Sequence, residues 1–152
     1  MEPSCGDGAI VRVLKDYGCP NVISKDIQSG HDFLLELERF DAIITNPPFS
    51  LAFEFIQKAK KVSQYFALLL PLSYLHGKKR FDQIYSDKEF PLSKVYVFTR
   101  YPMLGEQIRE DGKYNTGMMV YAWFVWDKGA SGKEPIVRWL DNNKYVLSKK
   151  DV

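Results

Sequence analysis

The residues with the clearest chemical potential are Asn46-Pro47-Pro48-Phe49, directly after the apolar run Asp41-Ala42-Ile43-Ile44-Thr45. Two consecutive prolines restrict the backbone, so the Asn46 side-chain oxygen and the Pro47 carbonyl can face the same way, and both are acceptors. Such a pair suits an amine attached to an aromatic ring. That nitrogen is a poor nucleophile because its lone pair is delocalised into the ring. Two acceptors on its two N–H groups favour a more tetrahedral nitrogen, whose lone pair can then face the methyl of a sulfonium. Phe49 can stack on the ring and hold it. No general base is needed before transfer, because the nitrogen becomes acidic once methylated; neither His31 nor His76 sits in a motif. The plain structural alternative is a Pro-Pro turn closing a strand, with Phe49 and Phe53 in the core.

Upstream lies a second motif, Glu2-Pro3-Ser4-Cys5-Gly6-Asp7-Gly8-Ala9. A Gly-rich turn feeding a helix brings backbone close to a nucleotide-like ligand, because glycine admits turn dihedrals and carries no Cβ to block approach. The acid before the turn would repel a pyrophosphate but attract the ammonium of an amino-acid moiety. A simple helix-capping turn reads equally well from these residues alone. Asp26 follows at the end of an expected strand, where its two oxygens can accept both ribose hydroxyls; beside Lys25 it also reads as a solvated turn aspartate. Asp32-Phe33 either holds an adenine ring, through the acid and a backbone N–H, or caps the segment after it. The order turn, acid, Asn-Pro-Pro-Phe weighs against reading Asn46–Phe49 as a plain turn.

These residues need elements to position them. Apolar residues at Ile10, Val13, Leu14 and Tyr17 predict a helix over 9–17, ending at Gly18. Residues 22–24 read as a short strand, 33–39 as a short helix or turn, and 41–45 as a buried strand stopped by Asn46 and the prolines. The strongest helix is 50–62, with Ser50 as its cap, Phe53, Phe55, Ile56, Ala59 and Val62 on its apolar side, and Lys58, Lys60 and Lys61 near its C-terminus. Strands follow at 65–70, 94–99, 118–126 and 136–140. Between them lie a polar stretch at 73–91, with a helix around 80–85, and a charged, Gly-containing loop at 100–117. Strands joined by helices early and a strand pair late predict an open, mostly parallel α/β sheet with an antiparallel edge.

At 152 residues the chain suits one domain, and 45% hydrophobic with 26% charged residues is ordinary for a globular protein. A net charge of +2 is too small to argue for nucleic acid by itself. Cys5 and Cys19 form neither a disulfide framework nor zinc spacing and fit a reducing compartment. No leader pattern is visible, and the longest apolar run, 66–71, is far below the roughly 20 residues that span a bilayer. The expected location is therefore cytoplasmic.

In this order, Glu2-Pro3-Ser4-Cys5-Gly6-Asp7-Gly8, Asp26, Asp32-Phe33 and Asn46-Pro47-Pro48-Phe49 resemble the DNA amino-methyltransferases, in particular the small adenine methyltransferases of phages and prophages. The likeness continues through Ser50-Leu51-Ala52-Phe53-Glu54-Phe55-Ile56, Leu72-Ser73-Tyr74-Leu75 and Tyr121-Ala122-Trp123-Phe124-Val125-Trp126. It implies a Rossmann-like, seven-stranded methyltransferase sheet with a reversed edge strand, and transfer of a methyl group from S-adenosylmethionine to adenine N6 in DNA. It also implies a cofactor site of Glu2, Pro3, Gly6, Gly8, Asp26, Asp32, Phe33 and Asn46, catalysis by Asn46, Pro47, Pro48 and Phe49, and a target base flipped from the duplex.

One departure stands at the start: the family runs a strand into the Glu-Pro pair, whereas only Met1 precedes Glu2 here. The expectation is a single catalytic domain over 1–152, short at its N-terminus, with unpaired backbone groups on the neighbours of the shortened strand. Three accounts of that start are open: a fragment of a longer gene, a second copy or partner segment completing the sheet, or a domain with weakened cofactor affinity. Lys78-Lys79-Arg80, and Tyr101, Arg109, Lys113 and Tyr114 in the long loop, mix cations with aromatics and could contact DNA phosphate; a solvated helix and loop read equally well. The tetrapeptide also serves RNA or a glutamine side chain, and a non-catalytic binding module is the reading from another class.

Overall fold

Five apolar segments become the strands of one sheet in the computed structural model, which describes residues 1–99 and 119–141. They are β1 (Phe40–Thr45), β2 (Ser63–Pro71), β3 (Leu92–Phe98), β4 (Tyr121–Asp127) and β5 (Ile136–Leu140), in the order β1-β2-β4-β3-β5. β1 and β2 run parallel, from Phe40↔Ser63 to Thr45↔Leu68. β4 runs antiparallel to both its neighbours, β2 and β3, and β5 lies parallel to β3. The reversed strand was expected at the edge; it sits inside, because β3 and β5 pair beyond it. The loop expected over 100–117, with Tyr101, Arg109, Lys113 and Tyr114, lies outside the described residues.

Past β1 the sheet continues through the first residues of the chain. The Met1 ammonium donates to the Ala42 carbonyl at 2.7 Å, and the Ile44 N–H donates to the Met1 carbonyl at 3.0 Å. On the other side Glu2 N–H reaches the Ile23 carbonyl at 2.8 Å, and Lys25 N–H reaches the Glu2 carbonyl at 2.9 Å, a parallel bridge between Glu2 and Ser24. The seven strands implied by the resemblance thus appear as five plus this bridge. Short as it is, the Met1–Glu2 segment supplies partners to both neighbours.

Two longer helices pack beside the strands. α1 (Ala9–Asp16) ends as expected, with Gly18 in the left-handed region at φ 80°, and buries only Val11. α2 (Ala52–Val62) buries Ala52, Phe55, Ile56, Ala59 and Val62, the stripe of a helix lying on a sheet. Phe53 is half-buried at the border of that stripe. Ser50 is not the cap: residues Phe49–Leu51 form a 3-10 turn, Leu51 N–H bonds the Pro48 carbonyl at 2.9 Å, and the helix proper starts at Ala52. Because the turn begins at Phe49, Ser50 lies inside it and is not the residue that precedes the helix. A third, three-residue helix, α3 (Lys78–Arg80), runs into a π-helical turn over Phe81–Tyr85.

The core lies along β2 and β4. Phe66 through Leu70 are all buried, the continuous run of a strand covered on both faces. The Phe66 ring stacks on Trp126 at 4.9 Å, and Ile43, Ile56, Leu68, Leu70 and Phe124 are inaccessible beside them. Among the described residues no helix is long and apolar enough to cross a membrane. If this is where stability resides, Leu68→Ala costs about 3 kcal/mol in urea denaturation, while Leu37→Ala, at a site 88% exposed, changes it by less than about 0.5 kcal/mol. Similar losses at both sites would contradict the packing.

Candidate active site

Every paired segment except β4 points the same way, so their C-terminal ends share one edge of the sheet. Four features meet there: the Gly-rich turn after Glu2, Asp26 after the Ser24 bridge, Asn46–Phe49 after β1, and the turn Leu72–Leu75 after β2. Tyr121 heads the reversed β4 at this same end, opposite Pro71. The chain leaves Glu2 to one side for Ser24 and returns on the other as β1. A reversal of strand order of this kind opens a crevice at the carboxyl ends, the usual ligand position in α/β sheets.

Glu2 is 1% exposed, and its Oε2 has no hydrogen-bond partner among the described residues. Burial pushes its carboxyl up to about 7, against the pull of the Val11 N–H and the Met1 ammonium and with smaller pushes from Asp26 and Asp7. The turn that follows uses left-handed glycines, Gly6 at φ 47° and Gly8 at φ 81°. A Cβ on Gly6 would meet nothing within 4 Å, so the backbone conformation calls for glycine there, and the space in front of it is open.

Asp26 ties the turn to its neighbour. Its Oδ1 accepts Gln28 N–H and its Oδ2 accepts Gly6 N–H, both at 2.9 Å, and these two donors hold its carboxyl below the usual range. Each oxygen keeps a lone pair for a further donor. Asp32 accepts Leu34 N–H at 2.8 Å and caps the 3-10 turn Phe33–Leu35, the structural alternative read from the sequence. Phe33 is buried against Phe55, ring centroids 5.0 Å apart. Asn46 is exposed, Pro47 is buried beneath it, and the half-exposed Phe49 ring lies 5.7 Å from Tyr121 at 34°. Tyr121 was noted in the sequence only as part of a strand; its place beside Phe49 depends on the β2–β4 register.

Sequence reading missed Glu36. This buried carboxylate accepts Lys25 Nζ at 2.9 Å and the N–H groups of Leu37 and Glu38; His31 Nε2 lies 3.1 Å away without a hydrogen bond among the described residues, and Lys58 Nζ donates to the Glu36 carbonyl at 2.9 Å. The network pins the segment carrying Asp26 and Asp32 against α2. Nothing in Leu34-Leu35-Glu36-Leu37-Glu38 distinguishes the acid turned inward from the one left outside.

Of the cations expected to meet nucleic acid, Arg80 lies over the Tyr74 ring at 4.3 Å and donates to the His76 carbonyl, so part of its role is structural. Lys78 pairs with Asp82, and Lys79 sits 5.9 Å over the Phe53 ring with its side chain exposed. At the opposite end of the sheet a polar groove of about 260 Å³ is lined by residues including Arg39, Asp41, Lys60, Lys61 and Lys128. None of the sequence-predicted site residues lines it.

No family profile matches the chain, and no curated protein sequence does. Solved structures do. A chain described as a modification subunit of a type I restriction enzyme from Vibrio vulnificus superposes with a TM-score of 0.51 at 15% identity, over 99% of this chain and 44% of that one. This is a Rossmann-like methyltransferase fold. An RNA methyltransferase structure from Pyrococcus horikoshii (TM-score 0.47, 14% identity, 80% of this chain and 57% of that) and the EcoKI M protein (0.48, 16%, 95% and 35%) are also similar. The methyltransferase-fold chain here spans between about a third and three-fifths of these relatives.

Glu36 sets the acid sensitivity of this region. Lys25, then the surrounding amides, lower its carboxyl to about 2, so its contribution is full above the unfolded carboxylate value near 4.5 and is lost as pH falls toward 2. Denaturation at pH 6 and pH 3 should show Glu36→Gln less stable at pH 6, by about 1–3 kcal/mol, and less sensitive to the pH drop than the parent. A parallel pH response in both proteins would remove Glu36 from that role.

Proposed function

We propose that this domain transfers a methyl group from S-adenosylmethionine to the N6 amine of adenine in DNA. The observation that carries the reading is the meeting of two motifs at one sheet edge, on neighbouring parallel segments: the turn after Glu2 and the Asn46–Phe49 tetrapeptide after β1. The residues fit the cofactor. An unpartnered buried carboxylate oxygen at Glu2 favours a cation, and Pro3, Gly6 and Gly8 form an open turn for the amino-acid arm beside it. Asp26, fixed by two backbone donors, is placed for ribose hydroxyls, with Asp32 and Phe33 on the adenine side and Asn46 between cofactor and substrate.

When bound, the cofactor supplies an electrophilic methyl on a sulfonium. The chain's own work is to present the amine. Asn46 Oδ1 and the Pro47 carbonyl accept its two N–H groups, and Pro48 holds the turn. Phe49, backed by Tyr121, stacks on a base drawn out of the duplex. Transfer would form one N–C bond and break the methyl–sulfur bond, whose electron pair stays on a neutral thioether; the extra proton on the nitrogen, already held by an acceptor, would pass to water. Lys78, Lys79 and Arg80, with Arg109 and Lys113, serve the phosphates.

A tritiated-methyl assay offering DNA, RNA and glutamine-bearing protein tests this. Label should appear on DNA adenine N6, and Asn46→Ala should lower it at least about 100-fold. Label confined to RNA or protein would overturn the substrate assignment, and none in any acceptor would favour a binding module. Lys79→Ala should weaken DNA binding for all sequences alike and reduce the salt slope by about one unit; an unchanged slope would exclude it from phosphate contact.

A further inference from the structure

Glu2 is a buried acid with one carboxyl oxygen held by the Val11 N–H and the other without a partner among the described residues. It is enclosed between β1 and the bridge at Ser24, one oxygen has no hydrogen bond, and it borders a turn that opens onto empty space at Gly6. A carboxylate in that position is costly to ionise without a cation and inexpensive to keep protonated. We propose that a ligand bearing an ammonium group, on binding beside Glu2, displaces one proton from Glu2 to solvent. The inference rests on the cofactor reading above and adds to it a coupling between affinity and pH.

The surrounding charges set its sign. Facing Glu2 are the Met1 ammonium on its own segment, Asp7 and the Cys5 thiol in the turn, and Asp26 at the end of the neighbouring segment; α1 contributes the Val11 N–H. Asp7 is partnered by Arg12 at 3.5 Å, and Asp26 by the Gly6 and Gln28 amides. Asp26 therefore stays ionised through the neutral range and opposes a second negative charge at Glu2. With the Glu2 carboxyl at about 7 in the free protein, the acid is mostly neutral below that value. An incoming ammonium stabilises the ionised form, so affinity rises with pH up to about 7 and then levels. The α-amino group of such a ligand is less acidic than a peptide N-terminus, because its own carboxylate lies beside it, and remains charged in that window.

Calorimetry on the full chain between pH 5.5 and 7, in buffers of different ionisation enthalpy, reads both consequences. S-adenosylhomocysteine, which keeps the amino acid and lacks the reactive methyl, should bind about tenfold more weakly at pH 5.5 than at pH 7 and release about one proton at pH 6. Methylthioadenosine, which has no amino group, should show neither effect on the same unmutated protein. Glu2→Gln should flatten the pH dependence for S-adenosylhomocysteine. Proton release that persists in Glu2→Gln would place the titration on Met1 and overturn the assignment. Binding of both ligands without proton release would overturn the coupling and leave the cofactor reading standing. No binding of either ligand at any pH would overturn both.

Discussion

The arrangement depends on two residues of backbone. Met1 and Glu2 bond to Ala42 and Ile44 on one side and to Ile23 and Lys25 on the other, joining β1 and the large part of the sheet to the segment that ends at Asp26. Without that seam the Gly-rich turn and the Asn-Pro-Pro-Phe turn would be separate loops. With it they leave adjacent parallel segments at the same end, beside the chain reversal where α/β sheets usually take ligands. Backbone groups in a sheet interior must be paired, so the position of the turn follows from the hydrogen bonds of the residues before it.

Two buried glutamates show how environment divides one residue type into two roles. Glu36 is surrounded by a lysine, a histidine and two amides, and its carboxyl falls to about 2; it is a tether. Glu2 has one oxygen without a partner among the described residues and neighbours that are largely acidic, and its carboxyl rises to about 7. The first is satisfied by the fold. The second keeps an oxygen that the described residues do not satisfy, which is why a ligand is proposed for it.

Much of the fold was legible in periodicity. The stripe of α2 and the continuous run of β2 announce their burial, and Gly18 marks the end of α1. Local chemistry misled where a competing turn won: Ser50 looks like a cap, yet it lies inside the 3-10 turn after Pro48, and the helix starts at Ala52. The position of β4 inside the sheet could not be read, since an apolar run does not say which neighbours it will pair with. The site divides in the same manner. Asn46–Phe49 and the Glu2–Gly8 turn carry local signatures, whereas Tyr121 and Glu36 acquire their places through long-range register and packing.

The central claim is that the two motifs form one ligand site at the carboxyl edge of the sheet. Backbone amide NMR during titration with S-adenosylhomocysteine measures it directly. The account predicts that resonances of Cys5 to Ala9, Asp26 to Gln28 and Asn46 shift together along one saturation curve, while those of Lys60, Lys61 and Lys128 at the opposite end stay fixed. Shifts confined to that opposite groove, or separate curves for the two motifs, would contradict it.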